Sequence, residues 1–408
     1  MKNAFVQFFR EASTSLQYRN IQLYCAGALI SLFGSMMQES MIAWVAFKLT
    51  GSTAVLGTIM TCYMLPMILA SIAGGWVADR FNRKHVVIVT QSIAMLIALS
   101  YVVMALTGTI SMEGIYVLSA ILGVTVAFEM SSRMAMLPNL VDNPQHIGNA
   151  FALDSLIFYA CRLCGPAIGA LFLVAGNPAW GFGVNVASYA LEICFLSLLK
   201  PHVSAGAGEK ATLREAFAFA YGNARRRQVM ILLAVTTFFG VYIQLMPAFT
   251  TMRHGDALTN GLLIFASEIG AVVASLLIAN KLSDASRIKL LRRSIGWAGV
   301  IFALCLAGFA VCQSVWMSLL LIVPVGFAMS AIFSGAQAVL QVEVEDRVRG
   351  AVTAMFYNFS YFGMLAIGGP VMGFLAARYG LTATTCGAAL ICLAASFLYL
   401  HQDKVTKS

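Results

Sequence analysis

The chain has 408 residues, 60% of them hydrophobic and 11% charged, with a mean hydropathy of +0.83 and a formal net charge of +9. A water-soluble domain carries roughly 25% charged residues, so the medium around this chain is lipid. Its apolar runs, many longer than about 18 residues, are those of membrane-spanning helices; they do not alternate polar with apolar, which excludes a transmembrane β-barrel.

The sequence predicts about twelve spans. They lie near 21–48, 53–78, 85–107, 113–135, 148–175 and 178–199, then near 228–252, 258–281, 294–313, 315–337, 351–376 and 381–400. Residues 1–20 are polar, lack a cleavable signal pattern and are expected to form a short amphipathic lead-in. With a cytoplasmic N-terminus, the 26 Lys and Arg residues fall on the inner side except Lys48, Arg253 and Arg378 outside and Arg162 within a span. The positive-inside rule thus predicts that both termini are cytoplasmic, and the basic balance reflects orientation, not a nucleic-acid partner.

Ionisable residues inside spans are expensive and mark function or a structural pair. Span one carries Gln38-Glu39. Span four carries Glu129 and Arg133, four apart and able to pair across one turn, and they read as a structural or gating pair. Span five holds Asp154 and, near the midplane, Arg162, for which Glu39, Glu129 and Asp154 are candidate partners. A structural ion pair and a substrate- or proton-coupled site both remain open for Arg162. Glu192, close to the end of span six, is expected to reach the interface. Glu268 lies deep in span eight with no readable partner.

Arg162 also begins Arg162-x-x-Gly165-Pro166-x-x-Gly169. Proline frees the carbonyl four residues earlier, and the glycines let neighbouring helices approach. A shift of 204 residues lays Gly51 on Gly255, Gly57 on Gly261, Arg83 on Arg287, and this motif on Gly369-Pro370-x-x-Gly373. Two six-helix halves, joined by the polar stretch 200–227, are the simplest account. Within that stretch, Ala211 to Tyr221 is rich in helix formers and aromatics and predicts a surface helix at the cytoplasmic face.

Span eleven contains Phe356-Tyr-Asn-Phe-Ser-Tyr-Phe362. Stacking on a flat or aromatic substrate and ordinary core packing are both open readings. The nine cysteines, Cys161-x-x-Cys164 included, fall inside spans and read as packing residues, not a disulfide framework, redox pair or metal site. The histidines lie at span edges or in loops, so no metal site and no histidine relay is expected. No nucleotide loop or nucleophile motif is present, and the chain is not expected to be an enzyme.

Between spans two and three, Gly75-x-x-x-Asp79-Arg80-x-x-Arg83-Lys84 resembles the loop 2–3 signature of the major facilitator superfamily. Gly75 is expected to allow close helix approach, and Asp79 to meet a helix terminus or a basic partner. The resemblance implies an all-α polytopic membrane protein with twelve transmembrane helices in two pseudo-symmetric six-helix bundles. These are residues 1–199 and 228–408, joined by a cytoplasmic connecting segment, 200–227. It further implies that the loop latches the two halves on the cytoplasmic side. Asn82 stands where the family has glycine, and asparagine tolerates the left-handed conformation of a tight turn. The second-half counterpart, Asp284 to Arg293, keeps the charges but not the pattern.

The span-five Gly-Pro motif resembles the antiporter signature of exporters. Phe128-Glu-Met-Ser-Ser-Arg-Met-Ala-Met-Leu-Pro-Asn-Leu-Val141, Asn149-Ala-Phe-Ala-Leu153, Leu340-Gln341 and Arg349-Gly350 resemble one bacterial branch, although Arg349-Gly350-Ala351 replaces the commoner Arg-Gly-Arg. That branch includes enterobactin-type siderophore exporters and macrolide-type drug efflux pumps. The resemblance implies an alternating-access exporter in the bacterial cytoplasmic (inner) membrane. Its expected cargo is a small amphipathic molecule such as a siderophore or antibiotic. Its expected energy source is the proton gradient, without a cofactor. Span one lines the central cavity of this fold, which makes Glu39 the leading candidate for proton coupling, together with Arg162 and Asp154 or Glu129. Burial would tune Glu39 toward the working range. The expected partners are the substrate, protons and membrane lipids, with the chain a monomer. An importer or facilitator of a small nutrient and a lysophospholipid transporter of the same fold are the alternatives.

Overall fold

A computed structural model describes residues 14–200, 212–279 and 288–405. The lead-in up to residue 13, residues 201–211 of the connecting segment and the 280–287 portion of the second-half loop, Arg287 included, lie outside the described residues. The described chain is helical throughout. The first helices are α1 (Arg19–Thr50), α2 (Thr53–Arg80), α3 (Arg83–Thr107), α4 (Met112–Met136), α5 (Ile147–Val174) and α6 (Pro178–Leu198). There follow a short α7 (Leu213–Gly222), α8 (Ala224–Phe239), α9 (Met246–Met252), α10 (Ala257–Ala279), α11 (Ile288–Val311) and α12 (Val315–Glu343). The last are α13 (Asp346–Met355), a π-helical segment (Phe356–Gly363), α14 (Met364–Tyr379) and α15 (Leu381–Val405).

Eleven spans among the described residues are long and apolar enough to cross a membrane, with α13, the π segment and α14 together making one. Their outward faces are apolar: Ile72 is 72% exposed, Leu320 70% and Leu106 67%, as lipid contact demands. Such an array satisfies most backbone groups within their own helices. Chain reversals are sharp. Gly108 ends α3 at φ 69°, and its N–H bonds back to the Met104 carbonyl, a left-handed cap that glycine adopts without strain.

The seventh span departs from the expected continuous run over 228–252. It breaks into α8 and α9 at Gly240, which has φ −89° and ψ 33°. The packing there admits only glycine: a Cβ at Gly240 would meet Phe302 Cζ at 2.7 Å. The helix restarts at Met246, with Pro247 in its first turn, where proline is tolerated and from which it cannot continue an earlier helix.

The chain forms two compact units, one of Met1–Trp44 with Leu65–Ala207, the other of Val45–Met64 with Gly208–Ser408. In the first, α3 packs on α4 and α6, and α5 on α6. Small residues set the closest approaches, as expected where lipid offers no hydrophobic drive. A Cβ at Gly165 would lie 2.7 Å from Met36 Cβ, and one at Gly169 would lie 2.9 Å from the Met37 carbonyl oxygen. The span-five motif is thus the surface on which α1 sits.

In the second unit, α12 packs on α10 and α11, and α11 on α15. The repeated motif plays the equivalent part there. A Cβ at Gly373 would lie 2.6 Å from the Thr53 carbonyl, and a Cβ at Gly57 would overlap the Gly369 carbonyl. Pro370 leaves the Ala366 carbonyl without its helical donor, and Thr61 Oγ1 donates to that oxygen at 2.7 Å. Thr53 Oγ1 donates to the Gly373 carbonyl at 2.8 Å.

Candidate functional site

The first unit buries a connected set of polar side chains. Arg133 Nη2 contacts Glu129 Oε1 at 2.6 Å, one turn earlier on α4, and Glu192 Oε1 of α6 at 2.7 Å. Gln91 of α3 donates through Nε2 to Glu129 Oε1 at 2.9 Å. The Arg133 guanidinium lies 5.6 Å from the ring centre of Tyr24 in α1, and Tyr24 donates its hydroxyl to Asp154 Oδ1 of α5 at 2.7 Å. Five helices of this unit, α1, α3, α4, α5 and α6, thus contribute to one connected set centred on the Arg133 guanidinium.

A second polar layer lies along α6. Asn185 Nδ2 donates to Gln38 Oε1 at 2.9 Å, Ser188 Oγ to Asn185 Oδ1 at 2.9 Å, and Tyr189 shares a 2.9 Å hydrogen bond with Ser35. Gly34 of α1 makes the room, since a Cβ there would overlap the Asn185 and Ser188 side chains.

Three atoms of the cluster are buried without a hydrogen-bond partner among the described residues: Arg133 Nη1, Glu192 Oε2 and Gln91 Oε1. Two carboxylates therefore share one guanidinium, and Glu192 and the guanidinium each keep an atom with spare hydrogen-bonding capacity. Buried ionic groups in this state are electrostatically unfinished. Fully ionised, the Glu129–Arg133–Glu192 triad carries one net negative charge in a membrane interior.

The structure corrects the reading of several residues. Glu192 does not reach the interface; its side chain is 1% exposed and paired with Arg133. The signal was present, because Asn185, Ser188, Tyr189 and Glu192 recur at helical spacing and share one buried stripe of α6. Glu39 is exposed rather than buried: Gln38, its neighbour, takes the inward position and the following residue rotates about 100° away. Of the candidate partners for the half-buried Arg162, Glu129 is engaged by Arg133 and Gln91, and Asp154 by Tyr24. Glu268 is buried in α10 of the second unit, 3% exposed.

The α2–α3 connection is likewise more specific than its motif. Asn82 is not left-handed; at φ −63° and ψ 111° it caps α3, its side chain accepting from the Lys84 amide. Gly75 has no close neighbour, whereas Gly74 brings α2 against α4, where a Cβ would lie 2.8 Å from the Ala127 carbonyl. Arg83 Nη1 donates to the Ala135 carbonyl at 3.0 Å, at the C-terminus of α4. Lys84 Nζ donates to the carbonyls of Ser197 and Leu199 at 2.7 and 2.8 Å, at the C-terminus of α6. These cations cap helix ends where the dipole is negative. Arg80 lies over the Trp76 ring at 4.8 Å, and Asp79 is exposed. Cys161 donates its thiol to the Leu29 carbonyl at 3.4 Å, as a packing residue does.

Residues 16–407 match the family model described as transmembrane secretion effector. The chain is 22% identical over 388 residues to the staphyloferrin A transporter of Staphylococcus aureus, spanning 93% of this chain and 96% of that one. It is 25% identical over 333 residues to the enterobactin exporter EntS of Citrobacter koseri, spanning 81% and 78%. Among solved structures, the nucleoside transporter NupG matches with a TM-score of 0.73 at 15% identity, over 94% of this chain and 98% of that one. A bacterial homolog of the human lysosomal transporter Spinster, inward-facing and unoccupied, matches at 0.71 and 14% identity, over 95% and 97%. These structural likenesses show the fold, with which the eleven spans and the broken seventh span among the described residues agree.

Proposed function

Because this chain belongs to the transmembrane secretion effector family of major facilitator transporters, and is a transport protein rather than an enzyme, we propose that it is a proton-driven exporter of a siderophore-type small molecule. The cargo class is suggested by the staphyloferrin A and enterobactin relatives. The energy coupling is suggested by one observation, the acid-rich triad of Glu129, Arg133 and Glu192.

In this reading the triad is the proton-binding site. A proton on Glu129 or Glu192 cancels its excess negative charge and turns an acceptor oxygen into a donor. Release of that proton restores a charge that only the single guanidinium can balance, so the two states favour different arrangements of α4 and α6. A ligand-driven cycle needs such a bistable element. Tyr24 links the triad to Asp154 on α5, the helix that also carries Arg162 and the Gly165-Pro166-x-x-Gly169 surface. Proton occupancy at the triad is thereby transmitted to the α1–α5 contact. Glu39, exposed on α1, and Arg162 are kept for cargo contact.

The test is flux in inside-out vesicles with an imposed proton gradient, with a siderophore and a macrolide as competing cargos. The expected result is gradient-dependent accumulation of the siderophore, lost in Glu192→Gln and Glu129→Gln. Gradient-independent accumulation in the unsubstituted protein would make it a facilitator and remove the coupling role of the triad. Accumulation only on reversing the gradient would make it an importer.

A further inference from the structure

We infer that the π-helical segment Phe356–Gly363 of the second unit is a cargo subsite that selects planar aromatic rings bearing oxygen substituents. The inference rests on the transport reading above and specifies its cargo class. A π-turn bonds each residue to the fifth along, is wider than an α-turn, and is found frequently at functional sites. Here it extends over eight residues, within the span Arg347–Tyr379.

The wider turn sorts the aromatic run into two faces. Phe359 is exposed and points toward α7, where its ring meets Phe217 edge-on at 5.3 Å. The helix α7 is itself fixed in this unit: Arg226 Nε of α8 donates to the Phe219 carbonyl at 2.9 Å, and Arg347 Nη1 of α13 contacts Glu215 at 3.2 Å. The other face carries Tyr357, Tyr361 and Phe362. Tyr361 lies 5.3 Å from Phe362, and Tyr357 lies 6.3 Å from Phe362, a pair five positions apart that a π-turn places in one row. Phe333 of α12 backs this face, 5.7 Å from Tyr357 and 4.6 Å from Tyr361.

Two features distinguish this face from core packing. Tyr357, Asn358, Tyr361 and Phe362 are only half-buried, whereas Phe356 is 1% exposed. The half-buried group is also amphipathic: Gln337 Nε2 donates to the Tyr357 hydroxyl at 3.0 Å, and the Asn358 amide lies beside it in sequence. Phenol and amide groups inside a span do not suit hydrocarbon. They suit a ligand with aromatic faces to stack and oxygen atoms to hydrogen-bond. Catecholate rings have both properties; an aliphatic chelator has only the second.

The experiment measures binding to the full-length purified protein of two probes, a tricatecholate chelator and an aliphatic trihydroxamate chelator. The expected result is preferential binding of the tricatecholate, weakened about tenfold by Phe362→Leu or Tyr361→Leu, as the loss of one stacking contact predicts. Phe359→Leu, on the opposite face, leaves the preference unchanged. A melting curve for each variant separates lost binding from lost folding. Should Tyr361→Leu fail to fold, Phe362→Leu and the Tyr361→Phe variant carry the test. Equal binding of both probes, or binding of the hydroxamate alone, overturns the aromatic subsite and leaves the export reading standing. Binding of neither probe overturns the subsite as well, and the vesicle assay then decides the export reading separately.

Discussion

Two buried arginines in this molecule are satisfied in opposite ways. Arg133, in the first unit, is held by the carboxylates of Glu129 and Glu192. Arg253, in the second, is held by neutral groups. Its Nε donates to Ser318 Oγ at 2.7 Å, its Nη1 to the Phe249 carbonyl at 2.8 Å, and its Nη2 to the Phe309 carbonyl. Its guanidinium lies 4.4 Å from the Phe309 ring centre and 5.4 Å from that of Phe249. Carbonyls and ring faces accept a cation without a proton of their own to exchange, so Arg253 is a fixed staple joining the end of α9 to α11 and α12. Carboxylates can take up a proton. The Arg133 arrangement therefore has two charge states, and the Arg253 arrangement has one.

That contrast can be broken by substitution. The largest effect is expected for Arg133→Met, which leaves two buried carboxylates facing each other and should destabilise the protein by about 3–5 kcal/mol. Adding Glu129→Gln and Glu192→Gln should recover most of that loss while proton coupling stays absent. Thermal melts in detergent check the first expectation and vesicle flux the second. A triple variant as unstable as Arg133→Met would mean that the triad is a packing device.

Arg253→Met comes next, with an expected loss of about 2–3 kcal/mol from abandoned carbonyl and hydroxyl acceptors and ring contacts. No partner substitution can rescue it, because two of its partners are backbone oxygens. Gradient-driven flux per folded molecule should be unchanged. A selective loss of coupling in this variant would contradict the division drawn between the two arginines.

Thr61→Val sharpens the same point with no charge at all. It removes the hydroxyl from the carbonyl that Pro370 frees, and an expected cost of about 1 kcal/mol is readable as a lower melting temperature. Smallest is the cap of α10. Asp256 accepts from the Thr259 amide and hydroxyl, both at 2.8 Å, and the bond from the Thr259 amide is the main reason its carboxyl is held below the usual carboxylate range. Asp256→Ala should cost about 1 kcal/mol or less. A depressed folded-state value means that this contribution is complete above the unfolded carboxylate range, near pH 4, and is lost as pH falls further. Melts of Asp256→Ala and the unsubstituted protein should therefore converge only in strong acid.

Much of the fold was legible in the sequence because lipid imposes length and composition on each span. The Gly-Pro-x-x-Gly repeat also announced its packing role, since glycine and proline act through the backbone. The broken seventh span was not legible: the apolar run over 228–252 reads as continuous, and the packing of Phe302 on Gly240 joins residues far apart in sequence. The π-turn was hidden for a different reason, as its aromatic residues fit an α-helix equally well. Among the site residues, Glu129 and Arg133 are one turn apart and could be paired from spacing alone. Glu192 meets them only through tertiary packing, and reading it as a lone residue near a helix end concealed the polar stripe it completes. Glu39 illustrates the converse, an acidic residue in an apolar run whose direction depends on which neighbour faces inward.

The most direct measurement is cargo-induced proton release from the purified protein in weakly buffered solution. The account predicts release of about one proton per cargo bound, abolished by combining Glu129→Gln with Glu192→Gln and retained in Arg253→Met. Undiminished release from the double glutamine variant would contradict it and move the coupling site away from Arg133.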